Sequence, residues 1–321
     1  MTIAAALLAG ALAAGWFVPG VLRRVDLRRR DPLPLIVAWL ISMVGVVLTA
    51  AAGVLLLLTP GHGGVASLLT LVDQCWSAIQ HGSPPRAEEL ASLLGLALLC
   101  AFAIRLVLVS FLGARRRSRA RREHLSLLRL GARKETGPPD TWWLAHDRPL
   151  AFSMAGRPGV IVATEGLTRH LGDRAVTAVL THEHAHLVGR HHLLIATADT
   201  LRTVLPFVPL FGQAPCALRE LAELAADTVA ARRCGPAAVR TALLKVSSHG
   251  APSPSLAMAQ EAVDLRLARL RFEPVTPGRL RRAISCGLAG MTAATLPVVT
   301  GLVLLLGVAA VICPLVLPWR V

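Results

Sequence analysis

The segment DRAVTAVLTHEHAHL, residues 173–187, determines how the rest of this chain is interpreted. Its apolar residues recur at the three- and four-residue spacing of one helix face, which predicts a helix packed on a core. The last turns of this helix carry the motif HExxH. Because residues four apart share a helix face, His182 and His186 can bind one divalent ion together. Glu183 is then placed to act as a general base on a water at that ion.

A second acidic motif lies downstream, in an alanine-rich segment of strong helix propensity. Its two carboxylates, Glu223 and Asp227, are four residues apart and therefore face the same way. Glu223 can supply a third metal ligand, and Asp227 can hydrogen-bond a ligand histidine. Three protein ligands with an open fourth position are typical of catalytic zinc sites, so Zn²⁺ is the predicted cofactor. The alternative is a solvated acidic face, but the apolar surroundings and the ExxAD order favour ligation.

The histidine motif also allows a second zinc geometry. Residues 182–192 fit the metzincin pattern HExxHxxGxxH, in which Gly189 turns the chain and His192 is the third ligand. Apolar residues continue directly after Gly189, and this scheme leaves the acidic motif unexplained. We therefore expect Glu223 as the third ligand, with His192 as the alternative. Three neighbouring histidines are expected to be solvated or hydrogen-bonded: His184, His191 and His192.

The composition predicts that this metal-binding unit is attached to membrane spans. Of the 321 residues, 54% are apolar and only 17% are charged, which excludes a disordered chain and is unlike an ordinary soluble enzyme. Crossing a hydrocarbon core of about 30 Å takes about 20 helical residues. Four apolar runs are long enough: 2–22, 34–58, 90–113 and 283–318.

Arginines predict how these spans are oriented. They cluster at 23–30, 115–122 and 279–282, whereas the connection 59–89 has one arginine against three acidic residues. The positive-inside rule then places residues 114–282 in the cytosol and both termini outside, in a multi-pass protein of the cell membrane. The clusters next to the spans account for much of the net charge of +15, and no nucleic-acid motif accompanies them. We therefore expect a lipid bilayer, and no nucleic acid, as a partner.

The cytosolic segment is expected to be mainly helical with a small β part. Residues 149–154 and 159–163 predict a pair of neighbouring strands, and Gly137, Pro138 and Pro139 look like a linker into the folded unit. The predicted domains are an N-terminal membrane region with three transmembrane helices, the cytosolic domain, and a C-terminal transmembrane helix with a short tail. Their boundaries are 1–113, 114–282 and 283–321.

The order of spans, strand pair, HExxH and ExxAD resembles the membrane metallopeptidases of the BlaR/MecR antirepressor type. These are distant relatives of the prenyl-protease and HtpX-type gluzincins. The resemblance implies an α+β, gluzincin-like zinc metallopeptidase domain in a multi-span α-helical membrane protein. It assigns His182, His186 and Glu223 as zinc ligands and Glu183 as the catalytic base.

The same resemblance implies hydrolysis of peptide bonds in a cytosolic or membrane-associated protein. A transcriptional repressor in a signal-transduction pathway is one candidate substrate. We expect the substrate to bind as an added β-strand. The edge that would accept it consists of Phe152, Ser153, Met154 and Ala155.

A non-catalytic membrane signalling or scaffold protein with a vestigial zinc site is the competing interpretation. Metal content distinguishes the two, because an enzyme should hold about one zinc per chain and lose it when His186 is changed. A scaffold would bind no metal in either form. The sequence does not indicate an oligomeric state.

Overall fold

The structure, a computed structural model, describes residues 2–27, 30–58, 87–137, 139–248, 256–271 and 278–316. The N-terminal part contains α1 (Thr2–Arg23), α2 (Pro32–Leu58) and α3 (Ala87–Gly131). A β-rich part follows, with β1 (Ala132–Glu135), β2 (Asp140–Leu144), β3 (Ala151–Met154) and β4 (Val160–Thr164). The remaining elements are α4 (Glu165–His170), α5 (Asp173–Val188), α6 (His191–Val204), α7 (Pro209–Cys234), α8 (Pro236–Ser248), α9 (Leu256–Arg271) and α10 (Arg279–Val316).

Four helices of the described chain are long and apolar enough to cross a membrane, at the positions expected from the sequence. These stretches are Ile3–Arg23, Pro32–Leu57, Leu93–Gly131 and Leu280–Gly307. Helix α3 continues past residue 113, the predicted end of its span, and carries the second arginine cluster as a helical extension. Most of the predicted outer connection, 59–86, lies outside the described residues.

Helices α1, α2 and α10 pack against one another as a bundle. The closest approach joins α1 to α10, where Gly10 lies against the backbone of Pro297 and Gly301. A Cβ atom at position 10 would overlap the Pro297 carbonyl oxygen, and one at position 301 would overlap that of Ala6. The two glycines therefore allow the backbones to touch, as small residues do between membrane helices.

Helices α6 and α7 join this bundle to the rest of the chain. Leu210 and Phe211, at the start of α7, are fully buried in the same core as Trp39 of α2. In the turn before α7, Val208 lies so close to Gly15 of α1 that a Cβ atom at position 15 would be 2.7 Å from Val208 Cγ1. Helices α1, α2, α6 and α7 thus share one hydrophobic core.

A four-stranded sheet of order β1-β2-β4-β3 lies beside α5. The outer pairs β1/β2 and β3/β4 are antiparallel, and the central pair β2/β4 is parallel. The predicted strand pair is confirmed as β3 and β4. Strand β1 has the sequence ARKE, without apolar alternation, so the sequence does not reveal it. The expected linker at 137–139 consequently lies inside the sheet, between β1 and β2.

Arginines of α9 and α10 hold the connection between α1 and α2. The buried Arg269 donates from Nη1 to the carbonyl oxygens of Leu27 and Arg30, each at 2.6 Å. Arg282 pairs with Asp31, with Nη2 and Oδ2 2.6 Å apart. The basic segments predicted to face the cytosol therefore include arginines that make internal contacts.

The contact between α1 and α10 predicts opposite outcomes for two alanine substitutions in α1. Gly10→Ala forces a methyl group into the Pro297 carbonyl and should lower stability by about 1 to 3 kcal/mol, the usual cost of overpacking. Gly20→Ala has no described atom within 4 Å of the new methyl group. It should leave stability unchanged or raise it by up to about 1 kcal/mol. Thermal unfolding of both variants in detergent measures the difference, and equal melting temperatures would contradict the close packing.

Candidate metal centre

Two packed helices carry the predicted metal ligands. His182 and His186 lie one turn apart on α5, and Glu223 lies on α7. The two helices meet through small side chains, including Ala178 and Ala230, which are almost fully buried. Because alanines separate the helix axes only slightly, side chains a few turns away can meet across the interface.

The donor atoms of the three side chains converge on one point. His182 Nε2 and His186 Nε2 are 3.1 Å apart. Glu223 places Oε2 at 3.3 Å from His182 Nε2 and Oε1 at 3.4 Å from His186 Nε2. Tetrahedral zinc with bonds of about 2.0 to 2.1 Å separates its ligand atoms by about 3.3 Å. One ligand atom from each of the three residues lies within 4.8 Å of the other two, so the set could hold a metal ion. Among the described residues, this trio is the group of His, Cys, Asp and Glu side chains that could hold a metal.

Asp227 orients the first histidine. Its Oδ1 is 2.9 Å from His182 Nδ1, the contact expected from the sequence, and the carboxylate is buried. The Nδ1–H group donates to Asp227, so Nε2 faces Glu223 and is the nitrogen available to a metal. Such carboxylate–histidine pairs fix both the tautomer and the ring orientation of a metal ligand.

His191 orients the second histidine. Its Nδ1 lies 2.9 Å from His186 Nδ1, so of the two states expected for His191, solvated or hydrogen-bonded, the structure has the second. Burial, together with the nearby His186, lowers the pKa of His191 to about 4, so the ring is neutral at pH 7 and can accept the His186 Nδ1 proton. Gly189 makes room for this ring, because a Cβ atom there would be 2.8 Å from His191 Cδ2. His186 Nε2 is thereby left for a metal.

His192 lies outside the converging trio. Its Nε2 is 3.2 Å from the hydroxyl of Ser153 in β3, and its ring centre is 6.3 Å from that of His186. The chain does turn after Gly189, because Arg190 adopts a left-handed conformation with φ of 50° and α6 begins at the next residue. This geometry favours Glu223 over His192 as the third donor.

Arg266 of α9 belongs to the site, although the sequence predictions do not include it. Its guanidinium group donates from Nε and Nη2 to the two oxygens of Asp227, at 2.7 and 2.8 Å. Its Nη1 lies 3.1 Å from Glu223 Oε2. The sequence does contain a pattern that could have indicated Arg266. Arg266 and Arg269 are three residues apart and therefore lie on one face of a largely apolar helix.

The charges around the trio favour a cation. Burial alone would lower the pKa of His182, but hydrogen bonds with Asp227 and Glu223 raise it to about 9. Burial alone would raise the pKa of Asp227, but hydrogen bonds from Arg266 and His182 hold it below its usual value. The pKa of Glu223 is likewise lowered by its contacts with both histidines, against the effect of burial. The two carboxylates therefore stay ionised and stabilise positive charge between them.

The predicted base and the predicted substrate strand lie beside the trio. Glu183 is partly buried next to His182, close enough for its charge to act on Arg266. Strand β3 forms one edge of the sheet and contacts α5. Along it, Phe152 is exposed, Ser153 is buried against His192, and Ala155 follows the last strand residue.

Residues 114–259 match Peptidase family M48. The matched segment contains the three converging donors, Glu183 and Asp227, and ends before Arg266. It supports a metallopeptidase function and a family of membrane-type zinc metallopeptidases, whereas the BlaR/MecR type stays a prediction. Peptidases of family M48 are typically zinc-dependent and commonly membrane-bound. No curated protein and no solved structure matches the chain.

The buried ion pair of Arg266 predicts a much larger stability loss than an exposed pair. Arg266→Gln removes the guanidinium partner of the buried Asp227 carboxylate, and removing one member of a buried ion pair costs about 3 to 5 kcal/mol. The control Arg219→Gln removes an exposed pair with Asp199, which contributes about 0 to 1 kcal/mol. Thermal unfolding with a chelator present, so that metal affinity does not contribute, compares the two. Equally small losses would contradict a structural role for Arg266.

Proposed function

We propose that this chain is an integral-membrane zinc metalloendopeptidase whose ion is held by His182, His186 and Glu223. The observation that carries the proposal is the convergence of these donors at 3.1, 3.3 and 3.4 Å within a segment that matches Peptidase family M48. The surroundings support it, because each histidine has a partner that directs its Nε2 at the same point. Glu223 is the most exposed of the three, so the centre is open on that side.

Each residue of the centre has a separate task in peptide hydrolysis. A bound Zn²⁺ supplies Lewis-acid chemistry to a water molecule and to the peptide carbonyl. Asp227 and His191 hold the two imidazole rings, and Arg266 keeps Asp227 ionised and in place. Glu183 accepts a proton from the attacking water and delivers it to the leaving amine nitrogen.

The substrate is proposed to be a protein or peptide that adds as a strand to β3. An extended chain can hydrogen-bond to the free edge formed by Phe152, Ser153, Met154 and Ala155, which would hold the scissile bond beside α5. The position of β3 at the sheet edge and against α5 supports this mode of binding. The resemblance to antirepressor peptidases makes a transcriptional repressor a candidate substrate.

The centre is proposed to face the cytosol, with both termini outside a multi-pass cell-membrane protein. Four apolar helices support the membrane location. The arginine clusters at one end of the apolar runs of α1, α3 and α10 support the orientation, because the cytosolic ends of spans carry an excess of basic residues.

The role of Glu183 predicts a separation of catalysis from metal binding. Glu183→Gln keeps the shape of the side chain but cannot take a proton, so zinc content should be unchanged while cleavage falls by about 100- to 10,000-fold. Comparative proteomics of membranes and cytosol should then reveal a protein that accumulates uncleaved in cells with the variant. Glu220→Gln makes the same chemical change outside the trio and should leave cleavage intact. Full cleavage by Glu183→Gln would remove the proposed base.

The two zinc geometries predict opposite rankings of metal affinity. With Glu223 as ligand, Glu223→Ala should weaken zinc binding most, and Asp227→Asn should weaken it by about 10- to 100-fold, as is usual for the partner of a ligand histidine. His192→Ala should leave affinity nearly unchanged, because its ring contacts Ser153 instead. Zinc titration of the purified variants against a competing chelator measures the ranking. A critical His192 beside a dispensable Glu223 would replace the proposed centre by the metzincin one.

A further inference from the structure

We propose that the turn between α6 and α7, residues 205–208, enters the cytosolic leaflet of the bilayer together with the adjoining ends of both helices. The inference rests on the proposed membrane location of α1, α2 and α3. It goes beyond that location, because the inserted hairpin belongs to the metal-binding unit and not to the four apolar helices. The partner it commits to is the lipid of the inner leaflet.

Contacts with two spans place this turn well inside the hydrocarbon region. Val208 lies against Gly15, eight positions before Arg23 at the arginine-rich end of α1. At about 1.5 Å per residue, this is a depth of about 12 Å. Phe211 is fully buried in a cluster that also contains Met43 of α2. A depth of about 12 Å falls within a hydrocarbon core of about 30 Å.

Polar contacts mark where the hairpin leaves the membrane. Arg23 donates from Nη1 to Gln213 Oε1 at 3.3 Å, so the second turn of α7 lies level with the arginine-rich end of α1. Farther from the turn, Asp199 of α6 pairs with Arg219 of α7 at 2.7 Å. Arg202 lies between this pair and the turn, and its long side chain can extend to the headgroups. The inserted part is therefore limited to the last turn of α6 and the first turn of α7.

Most of the backbone of the turn suits an apolar environment, because among residues 205–209 only Phe207 has an N–H group without a backbone acceptor in the described chain. Unpaired N–H groups are strongly disfavoured in hydrocarbon. Pro206 and Pro209 have no N–H group to satisfy. The N–H of Leu205 donates to the preceding helix, to the carbonyl oxygen of Leu201, at 2.8 Å, and the N–H of Val208 donates to the Leu205 carbonyl oxygen at 3.4 Å.

An arginine inside the third span is explained by the same insertion. Arg105 lies eight positions before residue 113, the predicted cytosolic end of the apolar run in α3. Such a residue in hydrocarbon needs a polar partner, and Arg105 donates from Nη2 to the carbonyl oxygen of Thr203 at 2.9 Å. Thr203 is in the last turn of α6. The contact thus puts the end of α6 at the depth of Arg105. It also gives one of the terminal carbonyl groups of α6 a hydrogen-bond donor.

The outermost side chain of the turn is apolar and exposed. Phe207 is 91% exposed in the protein, although it is a large aromatic residue. In the proposed position its ring contacts acyl chains, whereas in a purely cytosolic hairpin it would lie in water. A probe at Phe207 therefore distinguishes an inserted hairpin from a purely cytosolic one.

Photo-crosslinking to lipid tests the insertion. Benzoylphenylalanine, which is close to phenylalanine in shape, replaces Phe207 in the full chain reconstituted into vesicles of phosphatidylethanolamine and phosphatidylglycerol. After irradiation, intact-mass spectrometry measures the yield of lipid adduct. The same probe at Leu48, 62% exposed in the middle of α2, reports a position within a proposed span. At Leu130, 87% exposed near the end of α3, it reports a position beyond the membrane.

We expect the yield at position 207 to be within about threefold of that at position 48 and at least about tenfold above that at position 130. A yield as low as at position 130, with strong labelling at position 48, would overturn the inserted hairpin and leave the proposed peptidase intact. Low yields at all three positions would overturn the membrane location itself and the inference with it. Melting temperatures like that of the unmodified chain show that each labelled protein is folded.

Discussion

A buried carboxylate that needs two cationic or proton-donating partners determines how the metal-binding unit is assembled. Asp227 is 2% exposed in the interior of α7, where an isolated ionised carboxylate would be strongly disfavoured. His182 from α5 and Arg266 from α9 satisfy its oxygens. Because the two partners come from different helices, this pairing fixes three helices relative to one another. It also sets the ring of His182, so the geometry of the centre and the stability of the fold depend on the same contact.

Residue spacing in the sequence indicates which side chains of this centre face the same way on one helix, but it does not indicate which side chains of different elements meet. The HExxH and ExxAD pairs are recognisable because residues four apart must face the same way on a helix. Arg266 and His191 are different, since only the tertiary fold decides which arginine meets a carboxylate 39 positions away or which histidine meets His186. The same limit applies to the sheet. The apolar strands β3 and β4 are predicted, whereas β1 is charged and depends on pairing with β2.

The arginines show a related limit. Their uneven distribution between connections predicts which side of a membrane each connection faces, but it does not identify the contacts that each arginine makes. Arg269 and Arg282 hold the connection between α1 and α2, and Arg121 donates from Nη2 to the Pro158 carbonyl oxygen at 2.8 Å. Part of the positive charge is therefore structural, and only the remainder is available to lipid headgroups.

Helix α7 sets the distance between the arginine-rich end of α1 and the proposed metal ligands. Gln213 contacts the arginine-rich end of α1, and Glu223 lies ten positions farther along the same helix, at a height of at most about 15 Å. An extended chain covers this distance in about five residues, at about 3.3 Å each. For a protein placed in the membrane as proposed, bonds just outside a membrane anchor are within reach of the centre. In that proposed placement, the height of α7 determines how far from the bilayer a peptide bond can lie and still reach the centre.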